Sequence, residues 1–136
     1  TMSYPAMKEA EVDVRLGTDG SASNNSLDMR AEAKAASLVQ KHDHWDARVL
    51  DPLGTWKLAT KGSEDWVTWD LNDIRMRPQG RDGRRLLSNL IYSGARCLDV
   101  IVAGEALRRD GVTLSVDEDA AGAALEEAVS EYYSEI

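Results

Sequence analysis

The segment RRLLSNLIYSGARCLDVIVAGEALRR, residues 84–109, is the most apolar part of the chain and constrains its fold most strongly. Its apolar residues recur three and four positions apart, which is the spacing of one face of an α-helix. The width of this face predicts a central core helix over residues 84–109. Gly111 follows two arginines, an order typical of a helix end. The apolar residues are Leu86, Leu87, Leu90, Ile91, Ala95, Leu98, Ile101 and Val102.

Two further helices are predicted, one on each side of this segment. Residues 27–40 have helical spacing behind Ser26, a residue type that caps helix starts. Their apolar face is rich in alanine and predicts close packing against a flat surface such as a sheet. Residues 115–133 begin with the sequence SVDE, in which the serine and the glutamate form a capping box.

Short runs of β-forming residues predict a small sheet. Three of them, HWDARVL, TWKLAT and DWVTWDL, are separated by turn formers and predict a three-stranded antiparallel meander. The run EVDVRL alternates apolar and charged residues with the two-residue period of another strand. The four runs span residues 44–50, 55–60, 65–71 and 11–16.

The length of 136 residues and the 43% content of hydrophobic residues are those of one globular domain. Residues 1–10 have no clear period and contain Pro5, so they predict a flexible N-terminal arm. Residues 11–136 predict a single α+β domain. Its expected architecture is a small antiparallel sheet of three or four strands packed against three helices.

Charge is segregated along the chain, whose formal net charge is −8. Residues 1–74 have a net charge of −5, residues 75–109 of +5 and residues 110–136 of −8. All eight bases of the middle segment are arginines, and the last segment has none. The planar guanidinium group of arginine suits two-pronged binding of carboxylates or phosphates.

The arginine segment RMRPQGRDGRR contains two glycines and leads into a predicted helix start. Helix starts bind anions through their free N–H groups. The segment therefore predicts an anion-binding site, with ion pairing to the acidic part of the chain as the alternative. The phosphate-binding Walker motif is absent, and the net negative charge disfavours nucleic acid as a partner. The candidate residues are Arg77, Arg81, Arg84 and Arg85.

The C-terminal helix predicted over residues 115–133 has an acidic face without any base. Such a face is commonly just solvated. The sharper hypothesis is that it binds a basic surface, either on another protein or on a second copy of this chain. The candidate partner-binding residues are Asp119, Glu126, Glu127 and Glu131.

Both histidines of the chain lie in one short run, next to Asp46. On a strand, His42, His44 and Asp46 would share one face and could hold a metal ion. The three also match the start of the His-x-His-x-Asp-His box of metallo-β-lactamase-fold hydrolases. Ala47 replaces the next histidine of that box and no third histidine exists, so this family is excluded. A generic metal site remains a hypothesis, and an exposed polar strand face is favoured over it. A third possibility is that His42 lies at the C-terminus of the preceding helix, where a protonated imidazole is favoured.

The leading functional prediction is a non-enzymatic interaction protein, an assembly subunit or small acidic inhibitor that binds a protein partner through segregated charged surfaces. The alternative is an anion-binding or catalytic domain that uses residues 75–85. No cofactor is predicted. Self-association or a basic protein is the expected partner. With no apolar run near the roughly 20 residues that span a bilayer and no signal-peptide pattern, the expected location is the cytoplasm.

Overall fold

The computed structural model describes residues 2–62 and 64–134. Within these residues the chain forms α-helices, one 3₁₀ turn and four β-strands. The helices are α1 (Tyr4–Glu9), α2 (Ser21–Asn24), α3 (Met29–His44), α4 (Pro52–Thr60), α5 (Gly83–Ser93) and α6 (Glu118–Ser134). The strands are β1 (Trp66–Trp69), β2 (Cys97–Val102), β3 (Glu105–Arg109) and β4 (Val112–Thr113), and the 3₁₀ turn is Ile74–Met76.

The chain divides into two compact units. The first, called the helical unit below, contains residues 2–62 and 71–95, and in it α3, α4 and α5 pack against one another. The start of α3 is fixed by Asp28, whose carboxylate accepts the N–H groups of Arg30 and Ala31. The core of the unit is formed by the buried apolar side chains Ala33, Leu50, Met76, Leu90, Ile91 and Ala95.

The second unit, called the sheet unit, contains residues 64–70 and 96–134. Its four strands form one antiparallel sheet in the order β1-β2-β3-β4, with Val67 opposite Val100. Ile101 on β2 is buried, whereas every residue of α6 is exposed. The predictions of an α+β chain and of a small antiparallel sheet are therefore confirmed.

The prediction of one helix over residues 84–109 is wrong beyond Ser93. Helix α5 ends at Gly94, and the rest of the segment forms β2 and β3. Two turns with positive φ at both central residues close the hairpins. They are Ala103-Gly104 (φ 51° and 82°) and Asp110-Gly111 (φ 51° and 84°). Turns of this kind match the twist of antiparallel strands, so Asp-Gly here closes a hairpin and does not end a helix.

The predicted meander is wrong in its first two strands and correct in its third, which is β1. Residues 41–44 continue α3, and residues 52–60 form α4. The carboxylate of Asp51 accepts the N–H of Gly54 at 2.8 Å, and Pro52 occupies the first helical position. Asp followed by Pro is a strong helix start, and it outweighs the two-residue period of so short a run.

The helices predicted over residues 27–40 and 115–133 are present with shifted ends, as α3 and α6. The buried residues of α3 are Ala33, Ser37 and Gln40, and the helix packs against α4 and α5. Leu38, on the predicted face, is half exposed. Residues 11–16 belong to no strand, and Glu11 is a turn residue with a left-handed φ of 55°, so that predicted strand is also wrong.

The N-terminal residues are helical at Tyr4–Glu9 and are tied to α3. The side chain of Gln40 accepts the N–H of Tyr4 at 2.8 Å and donates to the carbonyl oxygen of Met2 at 2.7 Å. The predicted flexible arm and single domain stay predictions. Residue 1 of that arm and residues 63, 135 and 136 of that domain lie outside the described residues. None of the described helices is long and apolar enough to cross a membrane.

A buried polar network joins α3, α5 and the turn before α4. Ser37 is fully buried, and its hydroxyl donates to the carbonyl oxygen of Leu50 at 3.0 Å. The same hydroxyl lies 2.6 Å from the hydroxyl of Tyr92 and accepts a hydrogen bond from the ammonium group of Lys41. Because buried polar groups are costly when unpaired, this network fixes how the helices of the unit meet.

Replacing Ser37 with Ala is expected to lower the free energy of unfolding by about 1–3 kcal/mol, because the buried partners of the hydroxyl lose a hydrogen bond. Urea denaturation followed by circular dichroism measures this change. Ser93→Ala is the matched control, since Ser93 lies at the exposed end of α5. Equal stability of the two variants would show that the network contributes nothing.

Candidate functional site

An extended segment of the helical unit, residues 12–16, leads into a polar turn. The segment lies along α4, since the N–H of Leu16 donates to the carbonyl oxygen of Leu58 at 3.1 Å. Asp13 forms an ion pair with Lys61 just beyond the end of α4. These contacts fix the position of the turn Gly17-Thr18-Asp19-Gly20, which precedes α2.

Asp19 is the exposed carboxylate of this turn. Its backbone is in the left-handed region, at φ 60°, and its Oδ1 accepts the N–H of Gly20 at 2.8 Å. Asn24 supports the turn, because its side-chain amide donates to the carbonyl oxygen of Thr18 at 2.9 Å and to Glu32 Oε1 at 2.6 Å. The result is a carboxylate that is accessible to solvent yet held by its own loop, which is a suitable arrangement for proton transfer.

The four predicted anion-binding arginines lie together in sequence and all are exposed. Arg77 and Arg81 occupy the connection between the 3₁₀ turn and α5, and Arg84 and Arg85 lie in the first turn of α5. Their role stays a prediction at this point.

The histidine candidates occupy the end of a helix and not a strand face, because α3 continues to His44. His42 stacks against Trp45, with ring centroids 5.6 Å apart. His44 Nε2 lies 3.2 Å from the hydroxyl oxygen of Ser3. Asp46 pairs with Arg48 at 2.8 Å. The structure thus gives His42, His44 and Asp46 separate neighbours and does not bring them together, and metal binding by them stays a hypothesis.

The ion pair of Asp46 predicts a measurable titration. Hydrogen bonds from the side chain of Arg48, and then from its backbone N–H, lower the pKa of Asp46 to about 2. This pairing stabilises the fold above the ordinary aspartate pKa of about 3.9, and the contribution is lost as the pH falls through about 2. Arg48→Ala is expected to raise the pKa of Asp46 towards its ordinary value. An NMR titration of the carboxyl carbons measures the midpoint, with Arg109→Ala as control. An unchanged midpoint in Arg48→Ala would contradict the assignment.

The acidic candidates lie on α6. Asp119, Glu126, Glu127 and Glu131 are all exposed, and their carboxylates form no ion pair among residues 2–62 and 64–134. Arg108 instead pairs with Glu118 at 3.3 Å, at the start of the helix. Partner binding by the four carboxylates stays a prediction.

Two open grooves lie in the described chain, one in each unit. The groove in the helical unit has a volume of about 250 Å³ and includes Tyr4, Lys8, Asp13 and Lys61 in its lining. The groove in the sheet unit has about 340 Å³ and is lined by residues 111–113 and 116–119. A ligand pocket usually buries most of the surface of its ligand. Both grooves are open to solvent, so neither of them encloses a nucleoside by itself.

Comparison with known proteins found no matching family model. The chain is 37% identical over 134 residues to 5-methylthioadenosine/S-adenosylhomocysteine deaminase 1 of Archaeoglobus fulgidus, and the match covers 85% of the chain and 31% of that protein. It is 38% identical over 141 residues to the 5-methylthioadenosine/S-adenosylhomocysteine deaminase of Teredinibacter turnerae, with 88% of the chain and 31% of that protein covered.

A solved structure gives a concordant result. An adenosine deaminase from Xanthomonas campestris with bound zinc matches with a TM-score of 0.80 and 28% sequence identity. The match covers 95% of this chain and 33% of that chain. The chain is similar to adenosine-type deaminases. It spans about a third of the length of the relatives it matches.

These similarities overturn the leading functional prediction. A non-enzymatic interaction protein, either an assembly subunit or a small acidic inhibitor, is wrong, because the similar proteins are enzymes. The alternative of a catalytic domain is better supported. Composition and charge misled the prediction because a segregated surface charge affects association and solubility and carries no information about chemistry.

The similar crystal structure contains bound zinc. Binding of zinc by this chain would require a suitable set of ligand side chains. The described residues contain no group of three or more histidine, cysteine, aspartate or glutamate side chains that could bind a metal ion. Burial raises the pKa of the Cys97 thiol, which disfavours the thiolate form that zinc prefers. The residues in the ranges 2–62 and 64–134 therefore do not fit a complete zinc site.

Sequence reasoning missed Asp19 as a candidate functional residue. The run GTDGSASNNS was interpreted only as a series of turn formers. The sequence did contain a signal. A carboxylate stands between two glycines, directly after a segment in which apolar and charged residues alternate. Functional side chains often lie on loops held by a rigid scaffold, and the Asn24 and Leu16 hydrogen bonds provide such support.

Proposed function

We propose that this chain forms part of a hydrolytic deaminase of adenine nucleosides that carry a sulfur substituent. The observation that carries the proposal is the 37% identity over 134 residues to a 5-methylthioadenosine/S-adenosylhomocysteine deaminase. The TM-score of 0.80 with an adenosine deaminase supports the same reaction class.

The reaction is a replacement at C6 of the adenine ring. The oxygen of water bonds to C6, the C6–N bond breaks, and the amino group leaves as ammonia, so that the adenine becomes hypoxanthine. One proton must leave the attacking water and one must reach the departing nitrogen. A carboxylate can perform both transfers when it lies within hydrogen-bond distance of the water and the amine.

Asp19 is the group of this chain that we assign to that proton transfer. Its carboxylate is exposed, and one oxygen is oriented by the N–H of Gly20. Asn24 keeps the turn in place from α2, and Leu16 anchors the preceding segment on α4. Since the part of the chain that the structure describes holds no complete zinc site, no step of this assignment passes through a metal ion.

The proposal is tested by incubating the purified protein with 5-methylthioadenosine and, separately, with S-adenosylhomocysteine. The expected result is release of ammonia and conversion of the adenine absorption spectrum to that of hypoxanthine. In water enriched in heavy oxygen, the label should appear at C6. Folded protein that releases no ammonia from either nucleoside would refute the proposal.

Several finer predictions remain open beside this function. The cytoplasmic location is proposed on the single cysteine, a pattern typical of proteins in a reducing compartment. Packing of the sheet against three helices, self-association, a basic protein partner and the absence of nucleic-acid and membrane binding stay predictions.

A further inference from the structure

Four neighbouring arginines differ from most of the other arginines in their ion pairing. The guanidinium groups of Arg77, Arg81, Arg84 and Arg85 make no hydrogen bond or ion pair with any residue in the ranges 2–62 and 64–134. Most arginines elsewhere are paired with a carboxylate. The paired ones are Arg15, Arg30, Arg48, Arg75, Arg96 and Arg108.

The backbone that carries the four arginines is ordered by its own hydrogen bonds. The side-chain amide of Asn89 on α5 donates to the carbonyl oxygens of Met76 at 3.0 Å and Pro78 at 2.9 Å. The side chain of Gln79 donates to the carbonyl oxygen of Leu71 at 2.6 Å. The connection is thus fastened to α5, and less conformational entropy is lost when a ligand binds.

The chain folds back so that the connection meets the start of α5. A Cβ atom at Gly80 would lie 3.0 Å from the Cβ atom of Arg85, which places these two residues in contact. Asp82 caps the helix by accepting the N–H of Arg85. A Cβ atom at Gly83 would meet nothing within 4 Å, so the space around the helix start is open. The first-turn N–H groups of α5 that Asp82 does not occupy add a favourable partial charge for an anion.

We propose that residues 77–85 bind a small ligand with two or more linked phosphate groups. Residues 77–85 contain four arginines and one aspartate, and their net charge of +3 exceeds what one carboxylate or one phosphate can neutralise. The carboxylates nearest in sequence are already engaged, since Asp73 pairs with Arg75 and Asp82 caps α5. Two N–H groups of one guanidinium match the spacing of two phosphate oxygens, and this match favours a phosphate ligand.

This ligand is distinct from the substrates of the proposed reaction. 5-Methylthioadenosine and S-adenosylhomocysteine carry no phosphate, so the site adds a binding activity to the chain. A long nucleic acid fits less well, because the chain as a whole has a formal net charge of −8 and would repel a phosphate backbone.

Isothermal titration calorimetry of the whole protein with pyrophosphate at low salt tests the proposal. We expect saturable binding of pyrophosphate, with affinity for single orthophosphate weaker by about tenfold or more, since fewer two-pronged contacts form. Binding should weaken as salt is added. An absence of binding, or equal affinity for the two anions, would overturn the proposal.

Two double variants with the same charge change locate the site. Arg84→Ala/Arg85→Ala is expected to lower the pyrophosphate affinity by about tenfold or more, because two charge-assisted contacts are removed. The control Lys57→Ala/Arg109→Ala removes two exposed charges outside the segment. An equal loss in both variants would show nonspecific attraction and reject the site. Deaminase activity is measured separately, so failure of this proposal is distinguishable from failure of the proposed function.

Discussion

Asp19→Asn is expected to lower the rate of 5-methylthioadenosine deamination by at least about 100-fold, because general acid–base catalysis contributes roughly 10²–10⁴-fold to such reactions. The amide of asparagine keeps the shape of the carboxylate and cannot accept a proton at neutral pH. The loss should therefore appear in kcat more than in KM, since the group acts on the reacting atoms and not on the rest of the nucleoside.

The structure predicts that this substitution leaves the fold intact. Asp19 is exposed, and asparagine adopts a φ of 60° as readily as aspartate does. The side-chain oxygen of asparagine can still accept the N–H of Gly20, so the turn keeps its internal hydrogen bond. Urea denaturation should show a change in the free energy of unfolding within about 0.5 kcal/mol, as for other surface substitutions.

Asp110→Asn is the matched control for this experiment. Asp110 is also an exposed aspartate in the left-handed region, with φ 51°, but it lies in the hairpin turn between β3 and β4. We expect that variant to retain the activity of the unchanged protein. If Asp19→Asn kept full activity, or if both variants lost activity equally, Asp19 would have no part in the chemistry.

The sequence predicted those elements whose local signals agree with one another. The helical spacing of Leu90 and Ile91 and the turn formers on either side of Trp66–Trp69 led to α5 and β1. Where two signals competed, the prediction followed the wrong one. At Asp51 the helix-capping signal was overlooked in favour of a short alternating run. At Asp110 a hairpin turn was interpreted as the end of a helix.

The candidate site could be recognised only in part, for a physical reason. The arginine segment is visible in sequence because its members are contiguous, and the structure adds that they have no partner among the described residues. The position of Asp19 is fixed by contacts between residues that are separated in sequence. Examples are the hydrogen bonds from Leu16 to Leu58 and from Asn24 to Glu32. No local pattern specifies such contacts. The proposed enzymatic class rests on similarity to deaminases, because residues 2–62 and 64–134 contain no group of three or more side chains that could hold a metal ion.

The largest effect on stability is expected at Ile91, which is fully buried in the helical unit. Ile91→Ala should lower the free energy of unfolding by about 2–5 kcal/mol, through lost burial and the cavity left among α3, α4 and α5. Ile74→Ala is the matched control, because the same side chain at position 74 is 81% exposed. Its expected change is within about 0.5 kcal/mol.

Urea denaturation followed by circular dichroism measures both variants. If Ile91→Ala were no less stable than Ile74→Ala, the packing of α5 in the core would be refuted. The stability of this core also bears on the proposed chemistry. Helix α5 contacts α4, and α4 anchors the segment that leads to Asp19. A variant that stays folded with a loosened core should therefore retain the nucleoside reaction at reduced rate, because small displacements of a catalytic group are costly. If Ile91→Ala lost stability but kept its full reaction rate, the position of Asp19 would not depend on the packing of α5.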